Sequence, residues 1–291
     1  MKKTISLLLC IFIITGCFKR DTMEDIDIYT TVYPIEYITE KLYGENSTIR
    51  SIYPDGVNLK EYLSQSDGLT EKQIKEYANS SLFIFNGLSD EADYVVKFFK
   101  YNKNLKIIDT TQSMKYTYEI EELWLDPANF LMLAQNIRDG LNEYISNHYL
   151  KTEIDNNYEQ LKIDISELEA KLRKVTKEAD KKTIVTSNNL FNFLTKYDIE
   201  VISLDEDNDI TERLLNQVNS LIDSGKIKYI YVPEHEELNK YVKDLESKGK
   251  IKVIYFHTLE NITETERNNK DDYISLMNEN IDLLREELYT K

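Results

Sequence analysis

The chemistry open to this 291-residue chain starts from three histidines (His148, His235 and His257), two cysteines (Cys10 and Cys17) and 52 Asp plus Glu residues. The histidines are far apart and none stands in a Ser/His/Asp arrangement, so nucleophilic catalysis has no support. Glu121 and Glu122 are paired carboxylates, but neighbours on one segment do not face each other across a glycosidic bond. Neither G-x-G-x-x-G nor G-x-x-x-x-G-K-[ST] occurs, and only 8 Gly are present, which leaves little to cradle a phosphate. What remains is a surplus of anionic oxygen. The 52 acidic groups face 36 basic ones, a net charge of −16. That balance disfavours nucleic acid as a partner and suits a cationic or neutral ligand. No enzyme activity is expected.

The N-terminus sets the compartment. Lys2 and Lys3 precede an apolar run from Ile5 to Ile14, which Thr15-Gly16-Cys17 closes. A run of about ten residues is too short for a bilayer core that needs about twenty, and the pattern is that of a secretory signal over residues 1–16. Ile14-Thr15-Gly16-Cys17 resembles the lipobox of bacterial lipoproteins, with Ile14 where Leu is most usual. The resemblance implies cleavage before Cys17, acylation of its thiol and a double acyl anchor, which durable membrane attachment requires. Only one cysteine would remain, so no intramolecular disulfide is expected. Residues 17–27 read as a lipidated tether, and the location as extracytoplasmic.

The elements that must position any site follow an alternating pattern. Short β-branched or aromatic runs (Ile26 to Val32, Thr48 to Tyr53, Leu82 to Phe85, Leu105 to Asp109) alternate with stretches of helical period. Asp126 and Pro127 read as the cap and first residue of a helix. Ile154, Tyr158, Leu161, Ile165, Leu168, Leu172 and Val175 form one stripe on a long helix. This stripe is expected to pack on its own chain rather than in a coiled-coil dimer. Strands at Thr183 to Thr186, Ile199 to Leu204, Ile227 to Val232 and Lys252 to Phe256 then alternate with helices, including one through Leu190 and Leu194 and a last one from Asp271. The fold class is α/β: an N-terminal lobe over 28–149, a connecting helix over 150–179 and a C-terminal lobe over 180–291, with mainly parallel sheets and a ligand cleft between the lobes.

That order, lipobox, lobe, long helix and lobe, resembles the metal-binding lipoproteins of bacterial zinc and manganese ABC transporters over nearly the whole mature chain. Val32-Tyr33-Pro34 is similar to the family's S-x-Y-P, Tyr53-Pro54-Asp55-Gly56 to its P-P-G segment, and Phe85-Asn86-Gly87 to its Y-N-G. Trp124-Leu125-Asp126-Pro127 resembles D-P-H-x-W-L-D-P, and Asp271 to Asn280 resembles D-S-Y-x-x-M-x-x-N.

The resemblance implies a binding protein that captures a divalent ion as cargo and hands it to an ABC permease. No resident cofactor and no nucleic acid partner are implied, and a monomer is expected. The positions that match the family's histidine ligands carry Lys60, Glu122 and Asn188 here, while Asp271 keeps the ligand type. An ammonium has no free lone pair, so a standard tetrahedral zinc site is disfavoured. Two arrangements stay open. In the first, Glu122, Glu234, Asp271 and the Asn188 carbonyl hold a hard cation such as manganese, with Glu61 and His235 as further donors. In the second, Lys60 replaces the ion by pairing with Glu122 and Asp271, and the protein serves another solute or a protein partner. His148 and His257 are expected to be surface or hydrogen-bonded side chains.

Overall fold

The structure is a computed structural model and describes residues 21–65, 68–205 and 210–290. Strands β1 (Ile26–Thr30), β2 (Ser47–Ser51), β3 (Leu82–Phe85) and β4 (Lys106–Asp109) form a parallel sheet in the order β2-β1-β3-β4. Strands β5 (Thr183–Thr186), β6 (Glu200–Ser203), β7 (Tyr229–Pro233) and β8 (Lys252–Phe256) repeat this arrangement in a second sheet, β6-β5-β7-β8. The expected α/β architecture of two similar lobes is therefore present. Parallel strands covered on both faces read as continuous apolar runs, and β3, buried along its whole length, is the clearest case. In each sheet the chain reverses its winding direction beside the first strand. The crevices outside the strand ends at β1/β3 and β5/β7 are thus the natural ligand positions.

Helices α1 (Tyr33–Tyr43), α2 (Leu59–Gln65), α3 (Glu71–Ala78), α4 (Ala92–Phe99), α5 (Glu122–Leu125) and α6 (Pro127–Tyr144) belong to the first lobe. Asp126 caps α6 by accepting the Ala128 N–H at 2.9 Å, with Pro127 next to it as the sequence suggests. The long helix α7 (His148–Glu178) buries the stripe from Ile154 to Val175 against its own chain, chiefly α1, α6 and α11 (Tyr273–Leu288). Asp272 and Ser275 form a capping box that starts α11 two residues later than Asp271. The stretch through Leu190 and Leu194 is a 3₁₀ helix (Asn189–Tyr197), not an α-helix, and ends at Asp198 with φ 61°. Helices α8 (Glu212–Asp223), α9 (Lys240–Ser247) and α10 (Glu264–Asn269) complete the second lobe.

The segment read as tether is packed from its first described residue. Met23 is fully buried, and Asp21 accepts hydrogen bonds from the Met23, Ser146 and Asn147 N–H groups at 2.9, 2.8 and 2.7 Å. β1 already begins at Ile26. Asp21 thereby fixes the two residues that lead into α7, whose own cap is the Asn147 side chain accepting the Tyr149 N–H at 2.9 Å. Cys17 and the signal segment lie outside the described residues. Among the described residues, no helix is long and apolar enough to cross a membrane.

Candidate functional site

A cleft of about 750 Å³ lies between the lobes. The first lobe contributes Gly56, Val57, Asn58, Lys60, Glu61, Glu119, Ile120 and Glu121. The second contributes Asn188, Asp205, the run Pro233 to Glu237, His257 and Glu260. Both contributions sit beyond the carboxyl ends of the parallel strands.

The sequence places these residues by local devices. Pro54-Asp55-Gly56 makes the turn after β2, with Gly56 at φ 72°, where a side chain is strained, and its N–H donates to the Ile262 carbonyl at 2.8 Å. The Asn58 side chain accepts the Glu61 N–H at 2.8 Å and so opens α2, whose first turn carries Lys60 and Glu61 into the cleft. Asn188 caps the 3₁₀ helix: its carbonyl oxygen accepts the Leu190 N–H at 3.0 Å and its amide donates to Glu236 at 3.0 Å. The side-chain oxygen proposed as a donor from sequence is therefore already engaged. His235 has φ 63° and an exposed side chain.

His257 follows β8 directly. Asn280 holds its backbone from both sides, accepting the His257 N–H at 3.0 Å and donating to its carbonyl at 2.8 Å. The ring lies between two carboxylates, with Nδ1 3.0 Å from Glu234 and Nε2 3.2 Å from Glu266. Burial depresses its pKa, but the two carboxylates outweigh burial and hold it above the ordinary histidine value. The expectation of a hydrogen-bonded His257 agrees with this geometry. Its place on the cleft wall was not anticipated.

The electrostatics are lopsided. Burial, reinforced by Glu121 and Asp205, pushes Glu119 to about 6. Burial pushes Glu236 to about 7, with Asp205, Glu119 and Glu121 adding to the rise and Lys60 opposing it. Burial, then Glu121 and Glu91, takes Glu260 to about 8. Glu121 is raised by burial as well, again against Lys60. Desolvated carboxylates that repel one another resist ionising together, and a cation among them removes the penalty.

Two residues named from sequence stand elsewhere. Glu122 is buried and is not among the residues lining the cleft, its carboxylate accepting the Thr117 N–H at 2.9 Å. Asp271 is absent from the cleft lining, and its N–H donates to the Glu266 carbonyl at 2.9 Å. Lys60 forms no ion pair with either, so the expected Lys60–Glu122 or Lys60–Asp271 pairing is corrected. Its charge acts on Glu119, Glu121 and Glu236. Lys60, Glu61, Asn188, Glu234 and His235 do line the cleft. Glu119, Glu121, Glu236 and His257 were missed as wall residues. The usable signal for His257 was its position directly after a parallel strand. For Glu119 and Glu121 it was a spacing of two in the segment leading to Trp124. Among the described residues no group of three or more His, Cys, Asp or Glu is close enough to hold a metal ion as arranged.

Other motif residues join the lobes. Trp124 Nε1 donates to the Thr258 carbonyl at 2.8 Å, and the Tyr273 hydroxyl donates to the Trp124 carbonyl. Tyr33 N–H donates to the Glu260 carbonyl at 3.0 Å.

Comparison with known proteins bears on the whole chain. Residues 28–287 match the family described as zinc-uptake complex component A, periplasmic. The zinc-binding lipoprotein AdcA of Streptococcus pneumoniae is 22% identical over 307 residues, a match that covers 98% of this chain but 61% of that protein. The high-affinity zinc uptake system protein ZnuA of Bacillus subtilis is 20% identical over 313 residues, covering 97% of this chain and 96% of that one. Among solved structures, the Zn(II)-bound ZnuA-like domain of Streptococcus pneumoniae AdcA is similar in fold, with a TM-score of 0.71 at 21% identity, covering 91% of this chain and 100% of that domain.

Proposed function

This chain belongs to the zinc-uptake complex component A family of periplasmic binding proteins, and from that premise we propose that it is the extracytoplasmic capture component of a metal-ion ABC importer. Its cargo is a divalent cation held in the interlobe cleft. The observation that carries this reading is an interlobe cleft lined from both sides by carboxylates, Glu61, Glu119, Glu121, Glu234 and Glu236, with His257 among them; burial favours the neutral form of Glu119, Glu121 and Glu236, with Lys60 as the opposing charge. A divalent ion there replaces mutual repulsion with attraction.

Glu234 and His257, 3.0 Å apart, lie with Glu236 on the second-lobe wall, and Glu61 and Glu121 are on the first-lobe wall. His235, beside them, is a further candidate. The set is mostly oxygen with one or two imidazoles, which suits manganese at least as well as zinc. Because the donors are not gathered, capture requires local movement of the cleft walls. Delivery to a permease in the same membrane and anchoring through acylated Cys17 complete the role. A Cys17→Ser variant is expected to leave the membrane fraction or to stay unprocessed, and unchanged retention excludes the anchor.

A second reading is favoured by the Lys60 field on Glu119, Glu121 and Glu236: the ammonium stands in for the ion, and the cleft serves another solute or a protein partner. Metal analysis of the purified mature protein, followed by thermal unfolding with zinc, manganese or a chelator, separates the two. At 100 times the dissociation constant, binding stabilises the native state by about 2.7 kcal/mol, visible as an upward shift in Tm. Lys60→Ala is expected to tighten metal binding under the first reading. No shift with either ion, in the native protein or in Lys60→Ala, excludes metal capture.

A further inference from the structure

The chain joins the fold at one end of the first lobe and is held there at several points. Buried Asp21 accepts the Ser146 N–H and hydroxyl, each at 2.8 Å, and the Asn147 N–H at 2.7 Å. The Met23 carbonyl takes the Tyr43 hydroxyl at 2.5 Å, and the Asp25 N–H donates to the Asn46 carbonyl at 2.9 Å. Asn46 directly precedes β2, and Tyr144, at the end of α6 just before Ser146, donates to the Ile107 carbonyl near the start of β4 at 2.9 Å. These bonds therefore gather at the amino ends of the strands, whereas the metal cleft lies beyond their carboxyl ends. We propose that this amino-end pole, with the exposed ring of Tyr149, rests on the bilayer that holds the acyl chains of Cys17, so that the metal cleft faces away from that bilayer. This orientation presupposes the acylation of Cys17 proposed above.

Reach is the first support. In the sequence only Phe18, Lys19 and Arg20 separate Cys17 from Asp21, and four steps along the chain span at most about 14 Å. An anchor so close does not let the protein turn over while Asp21 keeps its partners. To bring the cleft toward a permease in the same membrane, residues 21–25 must peel away up to the start of β1, which lengthens the tether by about 17 Å.

The side chains at the pole agree. Tyr149, two residues beyond Asn147, is 82% exposed, and an aromatic ring with a polar tip suits the headgroup region. Lys19 and Arg20 directly follow the anchor, where basic side chains are drawn to anionic headgroups. The pole also exposes Asp25 and Glu45, so the contact is a narrow one through the anchor, its two basic neighbours and Tyr149, not a broad basic face.

The test uses the full acylated protein in vesicles of phosphatidylethanolamine and phosphatidylglycerol. Cleavage before Cys17 removes Cys10 and acylation blocks Cys17, so an introduced cysteine is the single free thiol. A fluorophore is attached at Tyr149→Cys or, on the cleft side, at Tyr118→Cys, an exposed position beside Glu119, and a quencher is carried on the lipid headgroups. The Tyr149→Cys label is expected to be quenched at least threefold more strongly than the Tyr118→Cys label. A Gly-Ser spacer inserted between Arg20 and Asp21 leaves the bonds of Asp21 in place and is expected to shrink this contrast. Asp21→Ala is expected to shrink it too, with circular dichroism confirming the fold. Protein that does not float with the vesicles overturns the anchor and the orientation together. Floating protein with equal quenching at the two positions, or with a contrast indifferent to the spacer, overturns the orientation alone and leaves the anchor and metal capture standing.

Discussion

The two edges of the interlobe cleft are built differently. At the rear edge the strap from Thr258 to Arg267 binds the second lobe to the first at successive points: Thr258 to Trp124, Glu260 to Tyr33, Asn261 to the Pro54 and Val57 carbonyls, and Ile262 to Gly56. Arg267 then pairs with Asp55 at 2.7 Å and with buried Glu36 at 2.8 Å, its guanidinium above the Tyr33 ring. At the front edge, where α2 meets the loop after β7, the Asn58 amide donates to the His235 carbonyl at 3.5 Å, the limit of a hydrogen bond. The cores show the same asymmetry. One hydrophobic cluster runs from the first lobe through α7 and α11 to Phe191, Tyr231 and Phe256 of the second, whereas the outer face of the second sheet packs separately around Val185, Ile230 and Val242. The strap thus joins the lobes at several points while the edge with Lys60, Glu61 and the His235 loop carries one weak bond, and adjustment to a ligand is expected there.

Breaking the rear edge should have the largest effect. Arg267→Ala leaves Glu36 without its counter-charge. Burial already pushes Glu36 to about 7 even with the guanidinium beside it. Loss of a largely buried pair by removal of one partner is expected to destabilise the protein by about 3 kcal/mol, read by urea denaturation. Arg267→Lys should recover part of this, because an ammonium cannot serve Asp55 and Glu36 with the same planar fork. A loss below about 0.5 kcal/mol for Arg267→Ala would mean that the strap does not fasten the lobes.

Trp124→Phe tests a single stitch of the same edge. It removes the donor to the Thr258 carbonyl in a side chain that is 2% exposed, and is expected to cost about 2 kcal/mol through the lost bond and the volume left behind.

Much of this framework was legible in the sequence. Periodicity located β3, β5 and β8 at their observed limits and the α7 stripe residue by residue, because burial on both faces of a strand or one face of a helix leaves a regular pattern. The helix through Leu190 and Leu194 is present, but its 3₁₀ type is not legible, because the spacing of these residues does not distinguish its hydrogen bonding. The stretch from Asp21 reads as tether because a polar run looks the same in sequence whether it is free in solvent or hydrogen-bonded to a remote segment, as Asp21 is to Ser146 and Asn147. The cleft was harder to read. Glu121 and Glu122 are adjacent and chemically equal, and motif register selects Glu122. The turn that precedes α5 decides otherwise, giving Glu121 to the cleft and Glu122 to the Thr117 N–H. Asp271 and Asp272 present the same difficulty at α11, where Asp272 caps the helix and accepts from Tyr37. Side-chain direction in a short turn depends on contacts remote in sequence, which spacing does not record.

The carboxylates sharpen the comparison through pH. Glu119, Glu236 and Glu260 have folded-state values of about 6, 7 and 8 against an ordinary 4.5. A raised carboxyl favours the folded state fully below its unfolded value, and that contribution fades as pH rises through the folded value. The metal-free protein should therefore lose thermal stability between about pH 5 and pH 8 on account of these groups, by a modest amount since they are partly solvated. Saturating cation should flatten the decline, because it stabilises the ionised form. Equal slopes with and without metal would place the ion away from these carboxylates.

The smallest effect on stability is expected at the front edge, and there it is informative. Asn58→Ala removes both the weak bond to His235 and the cap on the Glu61 N–H. Loss of an exposed cap on a seven-residue helix should cost about 1 kcal/mol or less. Lys60 and Glu61 ride on that first turn, so a looser α2 changes how readily the front edge adapts to a ligand, with the rear strap untouched. The expected outcome is a small loss in urea midpoint together with a clear change in the association rate of metal measured by stopped flow. A large loss of stability with unchanged binding kinetics would reverse the assignment of the two edges, making the front the fastening and the rear the moving part.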